Sequence, residues 1–126
     1  MRKLCLTSRD ELVIIDLNKV AYMEADGNYT SVFMIEGMKL MLSFGLGKME
    51  DYLKGSMDVG EPSPFMRLGR KLIINENYLF RISVTRQKLV LSDQCTHSYS
   101  ISLAKNLLKK YKVVMASRFN SPQSKK

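Results

Sequence analysis

The side chains best suited to chemistry are few and scattered. His97 is the single histidine of the 126 residues, so a Ser-His-Asp or Cys-His relay has one imidazole to run through, and a zinc site lacks its usual second nitrogen. A partly exposed strand histidine is the simpler reading. Cys5 and Cys95 lie far apart, with neither a CxxC spacing nor a neighbouring histidine cluster, which suits neither a disulfide framework nor zinc and points to a reduced, cytosolic setting. Gly45-Leu46-Gly47-Lys48 has the outline of a phosphate loop, but Leu42 stands where the first glycine belongs and Met49 follows the lysine where Ser or Thr is required. Glycines flanking a helix start explain it. Glu24 with Asp26 and Glu50 with Asp51 could pair as acid and base, yet nothing in their spacing separates them from surface charge. Methionines such as Met23, Met34, Met41 and Met66 fall on strand-like segments, where core packing accounts for them. No catalysis, no cofactor and no metal is expected.

Charge is the stronger signal. Twenty Lys and Arg oppose twelve Asp and Glu, a net charge of +8, and residues 64–126 carry thirteen of the basic side chains with two of the acidic ones. These cations alternate with apolar residues, as in Arg67, Arg70 and Lys71, in Arg86 and Lys88, and in Lys105, Lys109, Lys110 and Lys112. Cations set among apolar anchors belong to folded surface and suit a polyanionic partner. No apolar run approaches the ~20 residues of a membrane-spanning helix. Arg9, Asp10 and Glu11 stand where a signal peptide needs its apolar stretch.

The positioning elements read as short strands and two helices. Lys3–Thr7, Glu11–Asp16, Val20–Ala25, Tyr29–Glu36 and Met38–Phe44 are apolar, strand-sized and bounded by turn residues, with Asp26-Gly27-Asn28 and Glu36-Gly37 as hairpin turns. Leu46, Met49, Tyr52 and Leu53 recur at helical spacing between Gly45 and Gly55. After a loop over residues 55–64, the segments Lys71–Ile74, Leu79–Val84, Lys88–Leu91 and Ser98–Ile101 are again strand-like. Ser102–Tyr111 then reads as an amphipathic helix capped by Ser102. The expected fold class is mainly β (α+β), with about nine antiparallel strands packed as a sandwich or a partly open barrel.

Four segments in order resemble one family. Val20-Ala21-Tyr22-Met23-Glu24-Ala25-Asp26-Gly27-Asn28-Tyr29-Thr30 is similar to the I-x-Y-I-E-A-x-x-N-Y opening of LytTR DNA-binding domains, the output modules of LytR/AlgR-type transcriptional regulators. Leu46–Leu53 resembles that family's L-x-x-L-E-x-x-L helix, Phe65–Asn75 its F-x-R-x-H-R-S-Y-[LI]-V-N strand, and Ser102–Tyr111 its closing S-R-R helix. The resemblance implies elongated antiparallel sheets with two short helices. The resembling segments fall in a domain over residues 1–116, and the polar stretch ending in Lys125 and Lys126 reads as a flexible basic tail over 117–126. The implied partner is double-stranded promoter DNA, with loops entering successive major grooves at repeats. A second copy or a signalling protein is the implied further partner, since the family's usual receiver has no room in this chain, and no membrane is involved.

Carried over residue by residue, the resemblance assigns DNA contacts to Asn28, Tyr29 and Thr30, to Arg67, Arg70 and Lys71, and to Lys105. Arg70 is cast as the base reader, because a guanidinium fork can bond guanine O6 and N7 together. Lys71, Arg86, Lys88 and Lys105 are cast as phosphate contacts, which position without specifying. Asn28 either bonds an adenine edge or serves as an ordinary turn residue, and Arg67 either touches DNA or ties strands together. The chain departs from the family where its histidine, serine and tyrosine are Gly69, Lys71 and Leu72, and where its paired arginines are Leu103 and Ala104. Those departures keep a second reading open: an adaptor module of the same fold that binds DNA weakly and without sequence preference. A third, an RNA-binding β domain, needs stacking aromatics such as Tyr29, Tyr78 or Tyr99.

Overall fold

A computed structural model describes residues 2–57 and 60–119. The chain groups into two compact units, Met1–Tyr78 and Leu79–Lys126.

The first unit begins with the hairpin β1 (Lys3–Thr7) and β2 (Leu12–Asp16), a two-stranded sheet. A five-stranded antiparallel sheet follows in the order β5-β4-β3-β7-β6, built from β3 (Val20–Asp26), β4 (Tyr29–Met34), β5 (Lys39–Leu42), β6 (Phe65–Leu68) and β7 (Leu72–Asn75). Period-two alternation turns Leu4, Leu6 and Ile15 inward, where they share one core with Met23, Val32, Leu42 and Ile73 of the larger sheet. Helix α1 (Leu46–Gly55) completes that core with Leu46, Met49 and Leu53. Gly45 gives it no side-chain cap and its first turn holds no acidic residue. A ten-residue helix of that kind is marginal alone, so its three buried side chains, worth about 1.5–3 kcal/mol each, are what fix it.

The second unit is a three-stranded sheet in the order β10-β9-β8, made of β8 (Leu79–Ser83), β9 (Lys88–Ser92) and β10 (Ser98–Ser102), with helix α2 (Lys105–Phe119). Its buried side chains are Leu89, Leu91 and Ile101 from the sheet and Leu108, Tyr111 and Met115 from the helix.

Several expectations change. The described residues contain ten strands, because Phe65–Asn75 is a hairpin, β6 and β7, whose turn holds Gly69 at φ +70°. Each of the three sheets keeps its edge strands, so no barrel closes. Ser102 does not cap a helix: it ends β10, opposite Lys88, and α2 begins at Lys105. That helix runs past Tyr111 to Phe119, since Met115 extends the buried stripe by another turn. Residues 117–119 of the expected tail are therefore helical, and its remainder lies outside the described residues. Tyr52 and Met41 are exposed rather than core, at 37% and 51%. Glu50 is half-buried and paired with Arg67 rather than solvated.

Candidate nucleic-acid interface

In the first unit the sheet register gathers several candidates at one end. β3 pairs Glu24 with Leu72 of β7, and the Ala25 N–H donates to the Lys71 carbonyl at 2.9 Å. The β6–β7 turn carrying Arg70 and Lys71 is thereby fixed beside the β3–β4 hairpin, whose tip carries Asn28 and Tyr29. All four are exposed. Gly27 at the tip adopts φ +61°, a left-handed conformation that side chains resist, which is why the turn needs glycine there.

Two other candidates support this end instead of presenting themselves. Thr30 is fully buried, and its hydroxyl donates to the Phe44 carbonyl at 2.8 Å. That bond ties the β3–β4 hairpin to the chain entering α1, so the Thr30 side chain is turned into the protein rather than offered at the surface. Arg67 has one terminal nitrogen on Glu50 of α1 at 2.8 Å and the other on the Arg70 carbonyl at 2.7 Å. Its Nε is enclosed without a hydrogen-bond partner. With both prongs of the fork engaged, Arg67 braces the turn that displays Arg70, the geometry of a strand tie.

The second unit makes its own cluster. The β8–β9 turn carries Arg86 and is held at Gln87, which accepts from the Leu103 N–H at 3.2 Å through its carbonyl and donates to the Leu103 carbonyl at 3.5 Å through its side chain. Gln87 sits at φ +55°. Lys88, half-buried, donates to Ser102 Oγ at 2.7 Å, leaving two of its three ammonium donors for other acceptors. Lys105 opens α2 two residues beyond Leu103 and is exposed. Arg86, Lys88 and Lys105 thus share one end of this unit's sheet. Sequence reading misses the bracing roles of Gln87 and of Glu50, which reads there as surface charge, because these depend on partners sixteen and seventeen residues away.

At the opposite end of that sheet the β9–β10 turn is closed by Asp93. One carboxylate oxygen accepts from the N–H groups of Cys95, Thr96 and His97 at 2.9–3.0 Å, and the other meets His97 Nδ1 at 3.1 Å. The His97 and Cys95 amides hold the Asp93 carboxyl well below its usual range. His97, the one imidazole, is therefore a turn residue on the surface. Among the described residues no group of three His, Cys, Asp or Glu could hold a metal ion. Among the described residues no helix is long and apolar enough to cross a membrane. Tyr99 is half-buried, and burial pushes its hydroxyl pKa up.

Exposed basic and amide side chains on tight turns, braced by buried hydrogen bonds and carried on antiparallel sheets, define a β-rich module suited to nucleic acid. The family model for the LytTr DNA-binding domain matches residues 10–112, and the chain belongs to that family. Among solved structures, one described as the LytTr DNA-binding domain of a methyl-accepting/DNA response regulator from Bacillus cereus is similar at 19% identity with a TM-score of 0.60, covering 91% of this chain and 97% of that one. At that identity the likeness concerns the fold, which it shows to be of the LytTr type. A search of curated proteins returns no match.

Proposed function

We propose that this chain is a sequence-specific transcriptional regulator that binds promoter repeats through the turns of its two units. The observation that carries the reading is the meeting of Asn28 and Tyr29 with Arg70 and Lys71 at one end of the five-stranded sheet, through the Ala25–Lys71 bond. Arg70 reads a guanine edge with its fork, and Asn28 offers an amide to an adenine edge. Lys71, Arg86, Lys88 and Lys105 neutralise phosphates, each adding about 0.9 to the salt slope. Each unit sends its turns into a major groove, and a second copy on the neighbouring repeat or a signalling protein supplies control. The setting is the compartment that holds the DNA, the cytoplasm of a bacterial cell, and the protein does no catalysis of its own.

Selection of bound fragments from random and genomic DNA tests this, followed by competition of the best site against scrambled duplex with Arg70→Ala alongside. Enrichment of a repeat whose preference collapses in the variant is the expected result. Absence of enrichment, with binding that simply fades as salt rises, overturns sequence reading and favours an adaptor of the same fold.

A further inference from the structure

We propose that α2 carries a lysine stripe, Lys105, Lys109 and Lys112, that lies along DNA phosphates and anchors the second unit without regard to sequence. The proposal rests on the DNA-binding reading above and assigns it an additional surface.

The division of charge follows the division of structure. Residues 79–126 hold ten basic side chains and one carboxylate, while residues 1–78 hold ten basic and eleven acidic ones. That one carboxylate, Asp93, is enclosed by the amides of its own turn at the end of the sheet away from Arg86. Nothing acidic in the second unit therefore offsets the opposite end.

Helix geometry places the lysines. Leu108, Tyr111 and Met115 form the buried face of α2. At about 100° per residue, Lys105, Lys109 and Lys112 fall within about 60° of one another along one flank, whereas Lys110 points to the other side. All four are exposed. No acidic residue occurs anywhere in the helix, so the like charges at i, i+4 and i+7 repel one another, and Lys105 also stands at the positive end of the helix dipole. Among the described residues none of the three lysines in the stripe makes an ion pair. A polyanion laid along the helix relieves this repulsion and makes the uncompensated arrangement favourable.

Position favours DNA over an acidic protein. The stripe starts at Lys105, within the cluster of Arg86 and Lys88, so it continues the surface already read as touching phosphates. It runs about 10 Å along the axis, the length occupied by about three phosphates of one strand. The next positions along it are Ala116 and the exposed Phe119, so it is the lysine segment itself, residues 105–112, whose exposed flank holds none of the large apolar or aromatic anchors that a protein interface places at its centre.

The test uses the full chain with Lys109→Gln and Lys112→Gln together, titrated with the selected duplex and with scrambled duplex across a salt series. Glutamine keeps the helix propensity of lysine, so folding is preserved. The expected result is a salt slope smaller by about 1.8, equal loss of affinity for both duplexes, and an unchanged ratio between them. Lys110→Gln, on the other side of the helix, leaves slope and ratio as they were. A double variant that keeps the wild-type slope, or a Lys110→Gln change as large as that of the stripe, overturns the assignment while leaving sequence-specific binding by the wild type intact. A wild type that binds neither duplex overturns the DNA-binding reading itself, and the stripe with it.

Discussion

Replacing Arg67 with methionine distinguishes a residue that holds the interface from one that touches DNA. Methionine keeps most of the apolar stem and removes only the guanidinium. The lost ion pair to Glu50, at 2.8 Å and with both partners about one-third exposed, belongs near the upper end of the 0.2–1 kcal/mol typical of surface pairs. The lost bond to the Arg70 carbonyl, at 2.7 Å, is charge-assisted and worth about 1.5–3 kcal/mol where buried, less at this partly exposed site. Together they come to about 2 kcal/mol, or about 8–16 °C in Tm for a folding unit of this size. Thermal unfolding and a salt series on DNA read the two effects separately. The expected variant melts lower, loses preference between selected and scrambled duplex because the turn under Arg70 is loosened, and keeps its salt slope. An unchanged Tm together with a slope smaller by about 0.9 would refute the reasoning, since that pattern belongs to a phosphate contact.

Other changes have distinct expected outcomes. Thr30→Val preserves shape and deprives the Phe44 carbonyl of its donor, so stability should fall by about 1–3 kcal/mol in denaturant unfolding with no change in salt slope. Arg70→Lys keeps the charge but not the fork, and should reduce discrimination at one base by about 1–3 kcal/mol while nonspecific affinity stays constant. Asp93 bears on pH. Its carboxyl is held below the ordinary 3.8 by the His97 and Cys95 amides, so its stabilisation of the turn is full above that value and is withdrawn as pH falls through and below it. Amide protection of Cys95, Thr96 and His97 should decline from about pH 4 downward, and Asp93→Asn should flatten the decline. Equal acid sensitivity in the variant would show that another group controls the turn.

Most of the framework was legible because local pattern decides it. β1 runs from Lys3 to Thr7 as expected, its Leu4 and Leu6 alternating with polar neighbours. The hairpins at Gly27 and Gly37 form where glycine accepts positive φ, at +61° and +109°. β6 escaped notice because four residues, Phe65–Leu68, are too short to show a period beside a loop rich in proline and glycine. The last turns of α2 were not legible because the β-branched Val113 and Val114 follow Tyr111, and only the burial of Met115 shows that the face of Leu108 and Tyr111 continues.

The candidate site was legible in its exposed members and opaque in its supports. Asn28 stands on a turn that residue type alone marks, whereas Arg70 and Lys71 are reached through the family resemblance, because their turn lies in a segment that reads as strand. Thr30 and Arg67 lie within or beside the same motifs, yet their roles are set by Phe44 and Glu50, fourteen and seventeen residues away. Spacing along a chain carries no record of such pairings. Ser102 was misassigned for a related reason: a serine before an apolar run suits a helix cap and also suits the end of a strand, and only its pairing with Lys88 decides between them.

The most direct test of the central claim is an amide-shift titration of the whole chain with the selected duplex. The account predicts that perturbation concentrates at residues 26–29 and 69–71 of the first unit and at 84–88 and 103–112 of the second, with Thr30 and Arg67 changing less than Asn28 and Arg70. Perturbation centred instead on the β1–β2 hairpin or on the Asp93–His97 turn, with those four segments silent, would contradict it.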